Sequence, residues 1–431
     1  MLASFICVSL SAPHLVAMPV KSAEIDAPVS GKIPRRRAKK KRKKQRQATS
    51  EWEWSREFLA GYEGRYNLPE KSASYHRAVI EMQSQLKQLS ASPLNFSLAG
   101  RLRSPSNRKN SGNDASVDLK EAYVEKSVDQ VSFGLGLHQV SWGETFGFYN
   151  ITDVVNPVDF YEAQDVDPGE AKIPVVLAVL TWSPTPFTVQ LISGPAPRRS
   201  RMPHELNGVL LDEAYTYTFI DDGEYGGRIG YLFPFGLDLK VFSYMHWNRR
   251  PAYGLRLIGA EPRVFLQERL LATSGASFSQ AFDSIVIRGD IAYTDRTPVT
   301  DMTIGGQQKT SNLAQGVMGT DYTSEDGLTT VGLQGQIDHW TQKNPAFEKR
   351  YLTWGGARGS ASVLSEVLTL ECTILRGLNN HDTLVQPGIG VEPCCGLELD
   401  LQGYFVFSRE DGDREFIQRT RELYSRFSWR F

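Results

Sequence analysis

Strict alternation, with charge confined to one side, is the feature that most limits what this chain can fold into. In G-L-E-L-D-L-Q-G-Y-F-V-F, one side holds Leu397, Leu399, Leu401, Phe405 and Phe407, and the other Glu398, Asp400, Gln402 and Tyr404. Successive strand side chains point to opposite faces, so period two over this length is a half-buried strand. The same pattern sets Leu94, Phe96, Leu98 and Leu102 against Asn95, Ser97, Arg101 and Arg103. It sets Ile285, Ile287, Ile291 and Tyr293 against Arg288 and Asp290, and it gathers Leu237, Leu239, Val241, Met245 and Trp247 on one side. Residues 77–89, helical by propensity, also alternate: Ile80, Met82 and Leu86 against Glu81, Gln83, Gln85 and Lys87.

The apolar sides of the first four stretches carry no Lys, Arg, Asp or Glu. Turned into the core of a soluble sandwich, the charged sides would cost several kcal/mol per unpaired group. Facing a wet lumen they cost little, whereas an Arg aimed at mid-bilayer lipid costs about 2–4 kcal/mol. Lipid also demands that every backbone N–H and C=O be paired, so a sheet survives there only when closed. The pattern therefore predicts a transmembrane barrel. No apolar run reaches the roughly 18 residues of a spanning helix; the longest candidate is I-P-V-V-L-A-V-L-T-W at 173–182.

Loop rhythm points the same way. Tight turns are expected near 126–129, 183–186, 233–236, 280–283, 324–327 and 392–396. Longer polar connections are expected at 104–113, 142–171, 196–224, 249–262, 295–311, 342–350 and 409–417. Short and long in alternation is the rhythm of an all-β, closed, up-and-down antiparallel transmembrane β-barrel with short periplasmic turns and long extracellular loops. The count is about 18 strands (16–18) over 56–431, with the last strand closing on R-E-F-L-A-G-Y-E-G-R-Y.

Residues 1–50 are set apart as a disordered or targeting segment. Residues 32–46 hold 11 basic and no acidic side chains, leaving 37 basic against 49 acidic elsewhere. No basic or aromatic platform follows, so a nucleic-acid partner is not expected. The apolar stretch at 2–18 precedes that cationic block, the reverse of a secretory signal. The four cysteines (Cys7, Cys372, Cys394, Cys395) have neither a disulfide-framework pattern nor paired zinc spacing. The adjacent Cys394 and Cys395 are open to a vicinal disulfide or two free thiols. No metal or other cofactor is expected.

The run L-K-E-A-Y-V-E-K-S-V-D-Q-V-S-F-G-L-G-L-H-Q-V-S-W-G-E-T-F-G-F-Y-N-I-T-D-V-V-N-P-V-D-F (119–160) resembles the signature of the porin-like bacterial outer-membrane family known as domain-of-unknown-function family 1302. Trp142, Gly143, Asp153, Val154, Asn156, Pro157 and Asp159 carry the likeness, and 262–298 is similar to a second strand-turn-strand block of that family. The resemblance implies an outer-membrane barrel and says little about chemistry, because the family has no established substrate. The closing Phe427, Trp429 and Phe431 resemble the signal read by the barrel assembly machinery. Outer-membrane lipid and that machinery are thus implied partners.

Function is expected where the 142–171 connection meets the lumen. Its carboxylates Asp153, Asp159, Glu162, Asp165, Asp167 and Glu170 would attract cations if the loop folds inward. A solvated outer loop and calcium binding by 165–170 are the alternatives. Inner-face Arg101, Arg103, Lys120, Lys240, Arg288, Arg426 and Arg430 would either form a basic ladder opposite those acids or neutralise charges on neighbouring strands. The leading expectation is a channel for passive or weakly selective passage of small solutes. A barrel-embedded lipid or ester hydrolase, using His138 and Ser141, is one alternative, and a non-conducting structural or adhesion barrel is another. Three residues apart on a strand, His138 and Ser141 point to opposite faces, so no catalytic residue is assigned.

Overall fold

The computed structural model describes residues 51–68, 72–89, 93–104, 116–145, 151–157, 172–195, 205–206, 209–212, 222–249, 252–258, 261–266, 269–299, 301–304, 309–344, 349–379, 382–394, 396–407 and 421–430. Eighteen strands form one closed antiparallel sheet. They are β1 (Glu51–Asn67), β2 (Ser72–Leu89), β3 (Leu94–Arg103), β4 (Ser116–Val128), β5 (Val131–His138) and β6 (Val175–Trp182). There follow β7 (Phe187–Gly194), β8 (Glu224–Leu232), β9 (Leu237–Trp247), β10 (Leu270–Phe282), β11 (Ile285–Val299) and β12 (Lys309–Thr323). The last six are β13 (Thr329–Asn344), β14 (Lys349–Val363), β15 (Leu368–Gly377), β16 (Thr383–Cys394), β17 (Leu397–Phe407) and β18 (Arg421–Arg430). Each strand pairs with its neighbour in sequence, and β1 pairs β18 from Leu59↔Arg430 to Asn67↔Glu422. No edge is left open, which is what lipid requires of a sheet. Among the described residues no helix is long and apolar enough to cross a membrane.

The outer face is apolar through its middle, with Ile80, Leu98, Leu135, Ile229, Val241, Ile291, Leu333, Ile374 and Leu401 all exposed. Aromatic belts bound it. Trp52, Trp54, Trp182, Phe187, Phe235, Phe282, Tyr322 and Trp429 ring the short-turn end, and Tyr62, Tyr66, Tyr225, Tyr293, Tyr351 and Phe407 the other. Amphipathic rings at two levels mark the two interfaces of a bilayer. In β18 Trp429 is 51% exposed and Ser428 1%, so the register turns Phe427 and Trp429 outward. Phe431 lies outside the described residues, as do residues 1–50.

The first strand starts at Glu51, five residues before the expected 56, because Trp52 and Trp54 supply its share of the short-turn belt. One turn had no sequence signal: Leu364, Ser365 and Glu366 carry φ of 54°, 55° and 68° without a glycine among them. Two glycines are dictated by close approach. A Cβ on Gly136 (φ +139°) would lie 2.2 Å from the Ala122 carbonyl, and one on Gly396 (φ +73°) 2.1 Å from that of Arg430. On the long-loop side, residues 205–206, 209–212, 253–258, 261–266 and 301–304 form a second, five-stranded sheet.

Candidate functional site

The described parts of the connection between β5 and β6 (139–145, 151–157 and 172–174) turn into the lumen, and Asn156 ties their base. Asn156 accepts a hydrogen bond from Val140 N–H (2.7 Å) and donates to the carbonyls of His138 and Ile173 (3.0 Å each). Both stems of the loop are thereby joined, and Gln139 adds a bond to the Lys172 carbonyl (2.8 Å). An amide is suited to the task because it offers donors and an acceptor in one plane.

Beyond that base, residues 142–145 and 151–155 lie against the inner wall of β7–β12. Trp142 is 0% exposed, with Phe242 and Tyr244 each 5.5 Å away between ring centres. Its indole N–H donates to Gln190 Oε1 at 2.7 Å. Ile151, Val155, Val175, Leu177, Ile192, Ala292 and Val317 complete the cluster, an apolar core inside the barrel. Burying such side chains supplies about 1.5–3 kcal/mol each, which offsets ordering the loop.

Polar anchors surround this core. Asp290, 1% exposed on β11, accepts from Glu144 N–H (3.3 Å), Thr145 N–H (3.2 Å) and the Thr145 hydroxyl. A carboxylate so buried is tolerable only when several donors converge on it. Lys240 bridges Glu144 of the loop and Asp238 of its own strand (2.8 Å). Arg228 and Arg288 donate to the carbonyls of Trp142 (3.3 Å) and Glu144 (3.4 Å). At the upper end, Arg249 donates to the carbonyls of Val154 (3.3 Å) and Val155 (2.7 Å) while paired with Glu224.

Among the described residues a space lies along another part of the wall. A cavity of about 500 Å³ lies between the loop stems (Gln139, Ser141, Lys172) and the inner faces of β1–β4 and β18. Around it the wall is laced with ion pairs. Glu63, 2% exposed, meets Arg77 (2.7 Å) and Arg426 (3.9 Å), so buried charge spans the seam where β1 closes on β18. Arg430 pairs Glu57 (2.9 Å), Arg101 pairs Glu81, and Arg103 pairs Asp118 (3.5 Å).

The residues singled out from sequence fall into three groups. Arg101, Arg103, Lys120, Lys240, Arg288, Arg426 and Arg430 all occur on the lumen side of their strands, Lys120 at a register shift that also admits Glu121. Arg288 meets Asp321 at 3.6 Å. The carboxylates these bases meet are mostly strand residues and not the loop acids. Asp153 pairs Lys172. Asp159, Glu162, Asp165, Asp167 and Glu170 lie outside the described residues. Trp142, Asn156 and the buried Pro157 form the loop's core and base, while Gly143 leads into the Asp290 anchor. Ser141 accepts from Lys172, and His138 stacks on Tyr123 (4.3 Å), so the two are not brought together. Asp290 stood out only as an inner-face residue, and Arg228, Glu224, Arg249 and Gln190 gave no motif. Their signal is positional: lone polar groups on inward faces or at strand ends.

The family model described as "Protein of unknown function (DUF1302)" matches residues 38–190, from ahead of β1 into β7, a span that includes the loop. Among solved structures the chain is similar to OccAB1 of Acinetobacter baumannii, with TM-score 0.54 and 10% identity over 90% of this chain and 99% of that one. It is also similar to OccK5 (OpdH) of Pseudomonas aeruginosa, with TM-score 0.51 and 10% identity over 88% and 98% of the two chains. The chain is a porin-like β-barrel. The same likeness extends to P. aeruginosa OccK2 (OpdF) in complex with glucuronate (TM-score 0.52, 10% identity, 88% of this chain and 98% of that one). No curated protein matches the porin-like chain.

Proposed function

We propose that this barrel is an outer-membrane channel for passive passage of small polar solutes, narrowed to an eyelet by the 139–174 loop. The observation that carries the reading is one-sided docking of the loop. Its described residues build an apolar core against the β7–β12 wall, and a cavity lined by charged, polar and apolar side chains lies against β1–β4 and β18. A barrel serving only as a scaffold has no use for a polar passage beside an anchored loop. The OccK2 structure with glucuronate supports the general class of solute, small and polar. A hydrolase is disfavoured by the separation of His138 from Ser141, whose hydroxyl already accepts from Lys172.

Reconstitution in a planar lipid bilayer tests this. Stepwise ohmic conductance is expected, and Trp142→Ala, which takes the largest side chain out of the loop core, should raise the unit conductance. A folded barrel that inserts yet never conducts would remove the channel reading.

A further inference from the structure

We propose that the five-stranded outer sheet and the eyelet loop are coupled through Arg249, so that an occupant of the sheet changes how the loop sits in the lumen. The coupling goes beyond the channel reading and stands whether or not the barrel conducts. Three connections build the sheet. Residues 205–206 and 209–212 lie between β7 and β8, residues 253–258 and 261–266 between β9 and β10, and residues 301–304 between β11 and β12. The antiparallel pair 253–258 and 261–266 is its centre, joined in parallel to 301–304 on one side and to 209–212 on the other.

The stems of the first two connections meet in one buried knot. Glu224, 2% exposed where the chain enters β8, accepts from Trp247 N–H (2.8 Å), from the Tyr244 hydroxyl (3.4 Å) and from Arg249. The Trp247 indole N–H donates to the Asp222 carbonyl (2.9 Å). Arg249 stands four residues ahead of Tyr253, where the central pair of the sheet begins, and the intervening Ala252 is buried. The same guanidinium donates to the carbonyls of Val154 and Val155, and Val155 belongs to the apolar core of the loop. One planar group thus holds a barrel carboxylate, the root of the outer sheet and the eyelet loop. A buried guanidinium is tolerable only with its carboxylate and carbonyl partners all in place, so it does not yield to one and keep the rest. A shift of the sheet's root is therefore passed to 154–155, and from there to the core around Trp142. By linkage, whatever orders the sheet favours one arrangement of the loop, and that arrangement in turn orders the sheet.

The probe is a Fab directed at an epitope inserted between residues 259 and 260 of the full barrel, where the central pair turns. Amide hydrogen exchange at 151–156 is read in detergent with and without the Fab. Binding should change exchange there by about fivefold or more, the lower end of ordinary coupling between sites. Arg249→Met keeps the bulk of the side chain without its donors, and it should still bind the Fab yet lose the response. Arg249→Lys keeps a charge beside Glu224 but not the planar fork, and should lose most of it. Asp290→Ala loosens the loop from another strand and should retain it. Folding of each variant is checked by heat-modifiable gel migration. A Fab that binds and leaves exchange at 151–156 unchanged in the otherwise native barrel would overturn the proposal. So would an equal response in folded Arg249→Met or Arg249→Lys, which would assign the coupling to a different contact. Because exchange is read without current, a barrel that never conducts yet shows the Arg249-dependent response would remove the channel reading and leave the coupling standing.

Discussion

Asp290→Ala isolates what holds the loop in the lumen. The carboxylate accepts two backbone N–H groups and one hydroxyl from Glu144 and Thr145, and it is 1% exposed. Hydrogen bonds to a charged acceptor contribute roughly 1.5–3 kcal/mol each, and a buried donor left without a partner costs about 1–3 kcal/mol. Removing the charge also removes its desolvation penalty, which returns part of that loss. A net weakening of about 3 kcal/mol is expected, or about 100-fold in the ratio of docked to undocked loop. The neighbours Gly289 and Ile291 share the lipid-facing side of β11, so the outer surface and barrel closure are untouched. Amide hydrogen exchange at 142–145 should therefore quicken about 100-fold, and single-channel current should become larger and noisier. Thr145→Val removes the hydroxyl contact alone and should fall between wild type and Asp290→Ala. If Asp290→Ala folds and shows wild-type exchange and current, Trp142 packing alone docks the loop and the carboxylate is no anchor.

Asn156→Ala strands the Val140 N–H and the carbonyls of His138 and Ile173 at the loop base. At about 1–3 kcal/mol for the orphaned donor alone, the urea midpoint of the folded barrel should fall, and Asn156→Asp should recover only part. Leu401 and Gln402 lie on opposite faces of β17, Leu401 exposed among the lipid-facing residues. Leu401→Arg should cost about 2–4 kcal/mol in folding into vesicles, and Gln402→Arg far less. Equal losses would refute the assignment of faces.

Alternation made the barrel legible because lipid and lumen impose opposite demands on adjacent residues. Where a strand obeys both, as from Leu397 to Gln402, its faces are readable residue by residue. The seam was legible for the same reason: Arg426 and Arg430 share a parity that Phe427 and Trp429 do not. Turn positions followed glycine, proline and the aspartates Asp129 and Asp283, and failed at 364–367, where Leu364, Ser365 and Glu366 hold positive φ. The partners of the lumen bases were not legible. Pairing depends on cross-strand register, such as Glu63 opposite both Arg77 and Arg426, and register follows from how loops and bulges set each strand. Asp290, likewise, acquires its role from residues about 145 positions away.

Docking of the loop was nonetheless written in two strands that break the alternation rule. In β6 both parities are apolar: Val176, Leu180 and Trp182 face outward, while Val175, Leu177 and Val179 face inward. In β9, Leu239 and Val241 face lipid and Phe242 and Tyr244 face the lumen. An inner face of this kind cannot be left to water: burying one such side chain is worth about 1.5–3 kcal/mol, and several lie side by side. Something apolar must cover it, and in a closed barrel that cover must come from a loop. The 139–157 segment brings Trp142, Ile151 and Val155, the side chains suited to that patch. Once they dock there, the cavity that remains among the described residues lies against the other wall, lined by charge pairs together with Leu59, Met82 and Ala99. The doubly apolar strands thus decide where the loop lies, and the loop decides which charges a solute meets.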